Sequence, residues 1–257
     1  MVRRLLLIAG ASLLALPVAA QSANPPRAAA QLDRCHASLD AVQRYAVFSG
    51  VMRSLRTGQD RMDMRFDLFR RAPGAFAFKR VAAPGLGVWK RADAGVGRLK
   101  FKQKVENLTA PAAYRAVVSF RWINANGRVF ARAQHITPAC QQPDLRPNLR
   151  IGKITVSHVA GDPRHLHYDV TVLNDGGSAA RGFDVSLSVG GVPVVPAKAV
   201  ELLRAGQRLT LQFTGPRCTG GEAIVATADP GGAVVESNEA DNQLTAPCPN
   251  VGTNSRR

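Results

Sequence analysis

The sequence has few acidic residues, and it lacks the motifs that mark common enzyme classes. Its 257 residues contain 18 Asp and Glu against 34 Lys and Arg, which gives a formal net charge of +16. It has no G-x-S-x-G nucleophile elbow, no H-E-x-x-H metal motif and no phosphate-binding P-loop. A carboxylate pair for glycoside hydrolysis stays open, because such residues need not be close in sequence. The scarcity of acids favours a protein that is not an enzyme.

Long apolar runs are absent after the first twenty residues, so we expect no transmembrane segment in the mature chain. Residues 1–20 carry two arginines, an apolar run and small residues before Ala20, which is the pattern of a cleaved secretory signal peptide. A retained anchor is the alternative, but the run is short for a spanning helix and contains Gly10 and Pro17. The predicted cleavage point has no cysteine, so the pattern is not that of a lipoprotein. The sequence predicts a secreted, extracellular or periplasmic protein.

Cysteine is scarce, and no pair has the C-x-x-C spacing of a zinc ribbon or a redox site. In an oxidising compartment, an even number of cysteines predicts disulfides rather than thiol chemistry. Cys35 and Cys140 bracket the first half of the mature chain, whereas Cys218 and Cys248 flank a hairpin in the second half. We therefore expect the pairs Cys35–Cys140 and Cys218–Cys248, one in each domain.

The basic charge lies in the first half of the chain. Residues 21–142 carry 21 Lys and Arg against 7 Asp and Glu, a net charge of +14, whereas residues 143–257 carry 11 of each. This asymmetry indicates two domains, of which the first is strongly basic and the second has no net charge.

Apolar residues alternate with polar ones along most of the first half, which predicts half-buried antiparallel strands. The clearest runs are RMDMRFDLFRR, GRLKFKQKVENL and YRAVVSFRWI, with shorter candidates at 76–81 and 88–91. Asn126-Gly127 is a strong hairpin signal. We find no convincing amphipathic helix.

The second half shows the same alternation, interrupted by Gly, Pro, Asn and Asp. Residues 174–177 (Asn-Asp-Gly-Gly) could supply the positive φ angles of a tight turn. Four segments in order, PDL, VLNDGGSAARGFDVSLSVGG, LLRAGQ and VVESNEADNQ, resemble the CARDB family, named for cell-adhesion-related domains of bacteria. The resemblance covers about residues 143–248. It implies an immunoglobulin-like sandwich that binds or scaffolds, and it names no partner.

The first half carries a weaker resemblance. In LTAPAAYRAVV, Leu108 and Tyr114 are similar to the tyrosine corner of fibronectin type III domains, in which a buried Tyr hydroxyl bonds to backbone upstream. The stretch from Arg34 to Cys140 also resembles a domain found beside CARDB modules in exported actinobacterial proteins. That domain has no known activity.

These observations together predict an all-β protein of two tandem immunoglobulin-like (fibronectin type III-like) antiparallel β-sandwiches. The predicted boundaries are a signal peptide at 1–20, a flexible leader at 21–33, a basic sandwich at 34–141, a linker at 142–147, a CARDB-like sandwich at 148–249 and a flexible tail at 250–257.

The strongest candidate site is a row of cations at period two, Arg98, Lys100, Lys102 and Lys104, which we name the basic row. Period two places them on one face of one strand, about 6.6 Å apart. Arg115 and Arg121, with Arg61 and Arg65, would extend the row if their strands share its sheet. Such a surface suits acidic cell-wall polymers, acidic glycans or anionic lipid headgroups. The alternative is a solvated edge strand on which lysines prevent edge-to-edge pairing.

Two other clusters are weak metal candidates. His165, His167 and Asp169 have a metal-ligand spacing but need ligands from elsewhere. The acids and amides near the last hairpin have oxygens that suit Ca²⁺, although their spacing is not that of an EF-hand, and turn hydrogen bonds explain them equally well; they are Asp229, Glu236, Asn238, Glu239, Asp241 and Asn242. We expect no metal and no cofactor.

The sequence therefore predicts an exported, non-enzymatic binding, adhesion or scaffolding protein of the cell surface or envelope. Its partner would be an acidic cell-wall polymer, a glycan or an envelope protein, and not a nucleic acid. The alternatives are an unrecognised glycan-active enzyme or hydrolase accessory protein, and a structural spacer.

Overall fold

The structure is a computed structural model that describes residues 27–56, 60–93 and 95–249. The predicted signal peptide and the predicted tail lie outside the described residues. Within them the chain forms strands and a single 3-10 turn at Ala41–Gln43, without an α-helix. No helix in this part of the chain is long and apolar enough to cross a membrane.

The strands are β1 (Ala28–His36), β2 (Tyr45–Arg53), β3 (Arg61–Arg71), β4 (Lys79–Val81), β5 (Trp89–Arg91), β6 (Arg98–Glu106), β7 (Ala112–Ile123), β8 (Val129–Ile136), β9 (Cys140–Gln142), β10 (Leu149–Val159), β11 (Asp162–Asn174), β12 (Ala180–Val189), β13 (Val192–Leu203), β14 (Arg208–Pro216), β15 (Ala223–Ala228) and β16 (Gln243–Pro247).

The first nine strands form the first sandwich. One sheet has the antiparallel order β1-β2-β6. The other has the order β4-β3-β7-β8, with β5 pairing along β3 and β9 along β7. The alternating apolar residues of both sheets meet in one core, in which Phe48, Met64 and Phe120 are almost completely buried. The alternation in β3, β6 and β7 therefore predicted the inward side chains correctly.

The first sandwich begins earlier than the sequence indicated. Residues 28–33, which we assigned to a flexible leader, belong to β1 and pair in register with β2. Their Ala-rich composition hid the strand, because small side chains give little alternation in hydrophobicity. Ala28 nevertheless packs into the core, with 6% of its surface exposed.

Tyr114 forms the predicted corner. Its side chain is buried, and its hydroxyl donates to the Thr109 carbonyl oxygen at 3.1 Å and accepts from the Thr109 amide at 3.0 Å. The loop before β7 is thereby tied to the start of that strand. The Asn126-Gly127 hairpin is also present, joining β7 to β8, with Gly127 at a φ of 77°.

Both expected disulfides are present. Cys35 and Cys140 join β1 to β9 with a Cα–Cα distance of 5.3 Å, and Cys218 and Cys248 are bonded with a Cα–Cα distance of 6.0 Å. The described residues hold no free cysteine. Each sandwich therefore carries one disulfide, and that of the first sandwich joins its first strand to its last.

The second sandwich packs the sheet β10-β11-β14 on the sheet β13-β12-β15-β16. Leu166, Tyr168 and Val170 point inward from β11, as the alternation predicts, and all three have no exposed surface. The Tyr168 hydroxyl donates to the Pro216 carbonyl oxygen at 2.5 Å. Burial raises the pKa of Tyr168 above its ordinary value, so the ring keeps its proton and its role as a donor.

The glycines at 176 and 177 serve a purpose that the sequence did not reveal. Neither has a positive φ, so the prediction that this cluster supplies positive φ angles is wrong. Instead, the backbone of residues 144–148 passes directly over them, and a Cβ on Gly176 would lie 2.4 Å from the Arg146 carbonyl oxygen. Glycine is required here because only a residue without a side chain leaves room for that strand of backbone.

The segment between β9 and β10 is bound mainly to the second sandwich. Gly177 donates to the Arg146 carbonyl oxygen at 3.0 Å, and Ser237 donates to the Pro147 carbonyl oxygen at 2.9 Å. Asn174 accepts from the Asn148 amide at 3.1 Å. These bonds fix residues 146–148 against the turns that begin the second sandwich.

Candidate functional site

The basic row lies on β6, at one edge of the three-stranded sheet of the first sandwich. All four of its side chains are exposed, whereas Leu99, Phe101 and Val105 on the same strand pack toward the core. The strand alternates because one face covers the core and the other meets solvent. The four cations therefore share one face of the strand. Neighbouring cations are about 6.6 Å apart, and the row is about 20 Å long.

Half of the basic row is partly neutralised. Lys102 lies 3.2 Å from a carboxylate oxygen of Asp33, and Lys104 pairs with Glu106 and lies 4.8 Å from the centre of the Tyr45 ring. Among the residues that the structure describes, Arg98 and Lys100 form no ion pair. The first two positions thus offer uncompensated charge to a ligand.

Asp33 belongs to this surface as the single acid facing the row from β1. It accepts a hydrogen bond from the Ser49 hydroxyl at 2.6 Å. That bond holds the pKa of Asp33 below its ordinary value, against the opposite effect of burial, and Lys102 and Lys100 lower it further. The carboxylate therefore stays charged and orients Lys102.

An open depression adjoins the row. Its volume is about 370 Å³, and it is lined by Asp33, Arg34, Tyr45, Val47, Lys102 and Lys104. Cations beside an aromatic ring can contact a charged sugar through both charge and ring face. The depression therefore combines three cations with one carboxylate and one aromatic ring.

The proposed extension of the row is wrong. Arg115 and Arg121 lie on β7, and Arg61 and Arg65 lie on β3, so all four belong to the other sheet. The two sheets turn opposite faces to solvent, because their inner faces share one core. Arg115 and Arg121 therefore cannot contribute to a continuous surface with the basic row.

Arg121 instead takes part in a layer that covers the outer face of β3. Its guanidinium donates two hydrogen bonds to Asp63, at 2.7 and 2.9 Å, and lies 4.0 Å from the centre of the Trp89 ring. Arg65 lies on the same ring at 5.0 Å and pairs with Asp67 at 3.0 Å. We name this set the arginine layer; it comprises Asp63, Arg65, Asp67, Arg80, Trp89, Arg91 and Arg121.

The arginine layer buries two acids on the outer face of β3. Asp63 has no exposed surface and Asp67 has 5%. Trp89 and the flat guanidinium groups cover them, which is possible because guanidinium is weakly hydrated and stacks on aromatic rings. The alternation of Arg and Asp at every second position of β3 is the one sequence signal that points to this arrangement.

The histidine cluster is dispersed among different partners. His165 bonds to Asp162 at 2.7 Å, His167 bonds to the Thr214 hydroxyl at 3.1 Å, and Asp169 accepts from Gln212 at 3.0 Å. In the part of the chain that the structure describes, no three His, Cys, Asp or Glu side chains form a group that could hold a metal ion.

The acids near the last hairpin bind backbone. Asp229 accepts from the amides of Ala233 and Val234 at 2.9 and 2.7 Å. Glu236 is buried and accepts from the Leu149 amide and from Asn242. Burial raises the pKa of Glu236 above its ordinary value, although these two hydrogen bonds lower it in part.

Asn238, Glu239 and Asp241 complete the same turn. Asn238 accepts from the Ala240 amide at 3.2 Å, Glu239 accepts from the Glu236 amide at 2.9 Å, and Asp241 accepts from Asn148 at 3.2 Å. The bonds from the Leu149 amide to Glu236 and from Asn148 to Asp241 join the turn to the start of β10. Within the described residues, Asp241 Oδ1 and Asn242 Oδ1 are buried without a hydrogen-bond partner.

The second sandwich matches a known family. Its family model, described as CARDB, matches residues 142–246. The second sandwich is a CARDB domain. This family is non-catalytic and associated with the cell surface, so the domain fits an adhesion or scaffold role. The two disulfides suggest an extracellular setting for the chain that carries it.

Solved structures include similar CARDB domains. One is the CARDB domain of a Pyrococcus furiosus protein in complex with di-metal ions, which is 28% identical, with 40% of this chain and 88% of that chain covered and a TM-score of 0.34. Another is a domain from Methanosarcina acetivorans whose name assigns it to a cell surface protein, 26% identical, with 40% and 91% covered and a TM-score of 0.36. No curated protein matches the sequence.

Proposed function

We propose that the protein is an exported, non-enzymatic binding and scaffolding protein of the cell surface, and that its first sandwich binds acidic polymers through the basic row. The CARDB domain supports the surface role, and residues 21–142 carry the whole charge excess of +14. The observation that carries the binding proposal is a pair of exposed cations, Arg98 and Lys100, that have no ion-pair partner among the described residues. They lie beside two lysines that line a depression.

The geometry favours a polymer over a small anion. Four cations spaced along about 20 Å of strand match a chain with repeating negative charge, since each can meet a separate charged unit. All four side chains are exposed, so a single small anion would stay hydrated and weakly held. An edge strand whose lysines only prevent edge-to-edge pairing would look the same. A measurement of polymer binding distinguishes a binding surface from such an edge.

Binding of polygalacturonate, an acidic glycan, tests the proposal, with uncharged dextran as the control ligand. Affinity for polygalacturonate should fall steeply with added salt, because exposed charges are screened beyond about 8 Å at physiological ionic strength. Arg98→Gln and Lys100→Gln should each weaken binding about two- to fivefold, since an exposed charge contact is worth roughly 0.5–1 kcal/mol. Lys102→Gln and Lys104→Gln should have smaller effects, because Asp33 and Glu106 already pair with them.

Matched controls lie in the neutral second sandwich. Lys153→Gln removes an exposed lysine from β10 and should leave binding unchanged. If the double variant of Arg98 and Lys100 binds polygalacturonate as tightly as the parent, the basic row is a solvated strand edge and the proposal fails.

A further inference from the structure

The loop between β3 and β4 has a composition unlike the rest of the first sandwich. Residues 72–78 read Ala-Pro-Gly-Ala-Phe-Ala-Phe and contain no side chain that can form a hydrogen bond. Two arginines, Arg70 and Arg71, precede the loop, and Lys79 and Arg80 follow it. We name residues 72–78 the apolar loop.

The loop presents its apolar side chains to solvent. Residues 72–77 are all exposed, and Phe76 is as exposed as a residue can be, at 101% of its reference surface. The alternation at 76–81 predicted a strand, but β4 begins only at Lys79. Phe76 is thereby left outside both the sheet and the core.

Phe78 behaves differently and shows that the loop is held in place. Its ring lies 4.1 Å from the guanidinium carbon of Arg115 and 5.1 Å from that of Arg71. A turn also closes the start of the loop, where the Ala75 amide donates to the Ala72 carbonyl oxygen at 3.1 Å. With Phe78 fixed against the sheet, Phe76 projects at the tip.

An apolar tip with cations at its base matches the boundary of an anionic bilayer. Aromatic rings are enriched at the level of the lipid headgroups, where one side is apolar and the other wet. Lysines and arginines close to the surface are attracted by anionic headgroups. Arg71 and Lys79, which lie at the two ends of the loop, and the exposed ring of Phe76 would satisfy both requirements at the same time, whereas Arg80 is already paired with Asp67.

Other occupants fit less well. A seven-residue loop offers far less than the roughly 800 Å² per partner that a stable protein interface buries. A glycan would require hydrogen-bond donors and acceptors for its hydroxyl groups, and the side chains of residues 72–78 provide none. A bilayer requires only that the apolar group leaves water.

We propose that the apolar loop docks the first sandwich on anionic lipid bilayers, with Phe76 inserted at the headgroup level and with Arg71 and Lys79 on the lipid phosphates. The loop joins strands of the sheet that does not contain the basic row. This membrane contact is therefore independent of polymer binding by that row.

Phe76→Trp, tested on vesicles of phosphatidylcholine with and without phosphatidylglycerol, reports insertion directly. With phosphatidylglycerol present, the emission of this variant should shift to the blue, and lipids with brominated acyl chains should quench it. The parent, whose two tryptophans are Trp89 and Trp122, should show neither change. An unchanged emission of the variant on vesicles that it binds would overturn the proposal.

Phe76→Ser gives the energetic test by vesicle co-sedimentation. It should weaken binding to anionic vesicles at least about tenfold, which is the effect expected from removing one buried aromatic group. Lys79→Gln should weaken it about fivefold, while Lys79→Arg should preserve it. Val192→Ser, which removes an exposed apolar side chain of the second sandwich, is the matched control and should have no effect.

Polymer binding separates this proposal from the function proposed above. Phe76→Ser should leave the affinity for polygalacturonate unchanged, so either proposal can fail without the other. Vesicle binding that is equal in the parent and in Phe76→Ser would mean adsorption through charge alone, and it would refute docking by the loop.

Discussion

Asp63 should be a key stabilising residue of the first sandwich, although it points away from the core. Replacing it with Asn removes one negative charge from a side chain with no exposed surface. Arg121 would lose a charged acceptor for its bonds of 2.7 and 2.9 Å, and Arg91 would lose its ion partner at 3.5 Å. Arg91 and Arg121 would then both lack the carboxylate that they share.

The expected loss follows from the burial of the partners. Breaking a fully buried ion pair costs about 3–5 kcal/mol. The Arg121 side chain is 25% exposed and that of Arg91 is 60% exposed, so water can solvate both in part. Asn also keeps one oxygen that can accept a hydrogen bond from Arg121. We therefore expect Asp63→Asn to lower the free energy of unfolding by about 2–3 kcal/mol.

Urea denaturation followed by tryptophan fluorescence measures this loss selectively. Both tryptophans, Trp89 and Trp122, lie in the first sandwich, so the signal reports that sandwich and not the CARDB domain. Asp93→Asn is the control, because Asp93 is an exposed acid in the same sandwich, and it should change the free energy by less than about 0.5 kcal/mol.

A double variant tests the mechanism. Adding Arg121→Gln to Asp63→Asn removes the cation that Asp63→Asn leaves without a partner. The stability loss of the double variant should therefore be smaller than the sum of the losses of the two single variants. A loss below about 0.5 kcal/mol for Asp63→Asn would show that the arginine layer is stabilised by packing on Trp89 alone, and the electrostatic reasoning would be refuted.

Two further predictions concern the same sandwich. Tyr114→Phe should lower its free energy of unfolding by about 1 kcal/mol in the urea assay, because the Thr109 backbone would lose its hydroxyl partner at a half-buried site, and an unchanged stability would argue against the corner. Asp33→Asn should cost about 1 kcal/mol at neutral pH, because it weakens the contacts with Ser49 and Lys102. Since the pKa of Asp33 is lowered in the folded state, its contribution is present above the value near 3.8 of a free aspartate and is lost as the pH falls through the folded value. The stability difference should therefore disappear in acid, and a difference that persists at low pH would contradict this account.

Several features of the protein could be predicted from local sequence alone. The alternation in β3, β6 and β11 indicated which side chains face the core, because strand geometry sends neighbouring residues to opposite faces. The Tyr114 corner and the hairpin at Gly127 were also predicted, since each depends on a few adjacent residues. The cysteine pairs followed from the order of the two domains along the chain.

Other features depended on how the strands assemble. Local alternation does not say which strands share a sheet, so it could not place Arg115 and Arg121 on the side opposite to the basic row. It also could not show that Trp89, which lies on another strand, helps to cover Asp63 and Asp67.

The same limit applies to the glycines at 176 and 177 and to Phe76. The glycines are required by backbone that approaches from residues 144–148, which is a contact between distant segments. Phe76 stays exposed because β4 begins three residues later than the hydrophobic pattern predicts. The sequence thus determined the strands and the face of each side chain, because both depend on neighbours along the chain. Only the tertiary structure decided which faces meet, because long-range pairing joins residues that no local pattern connects.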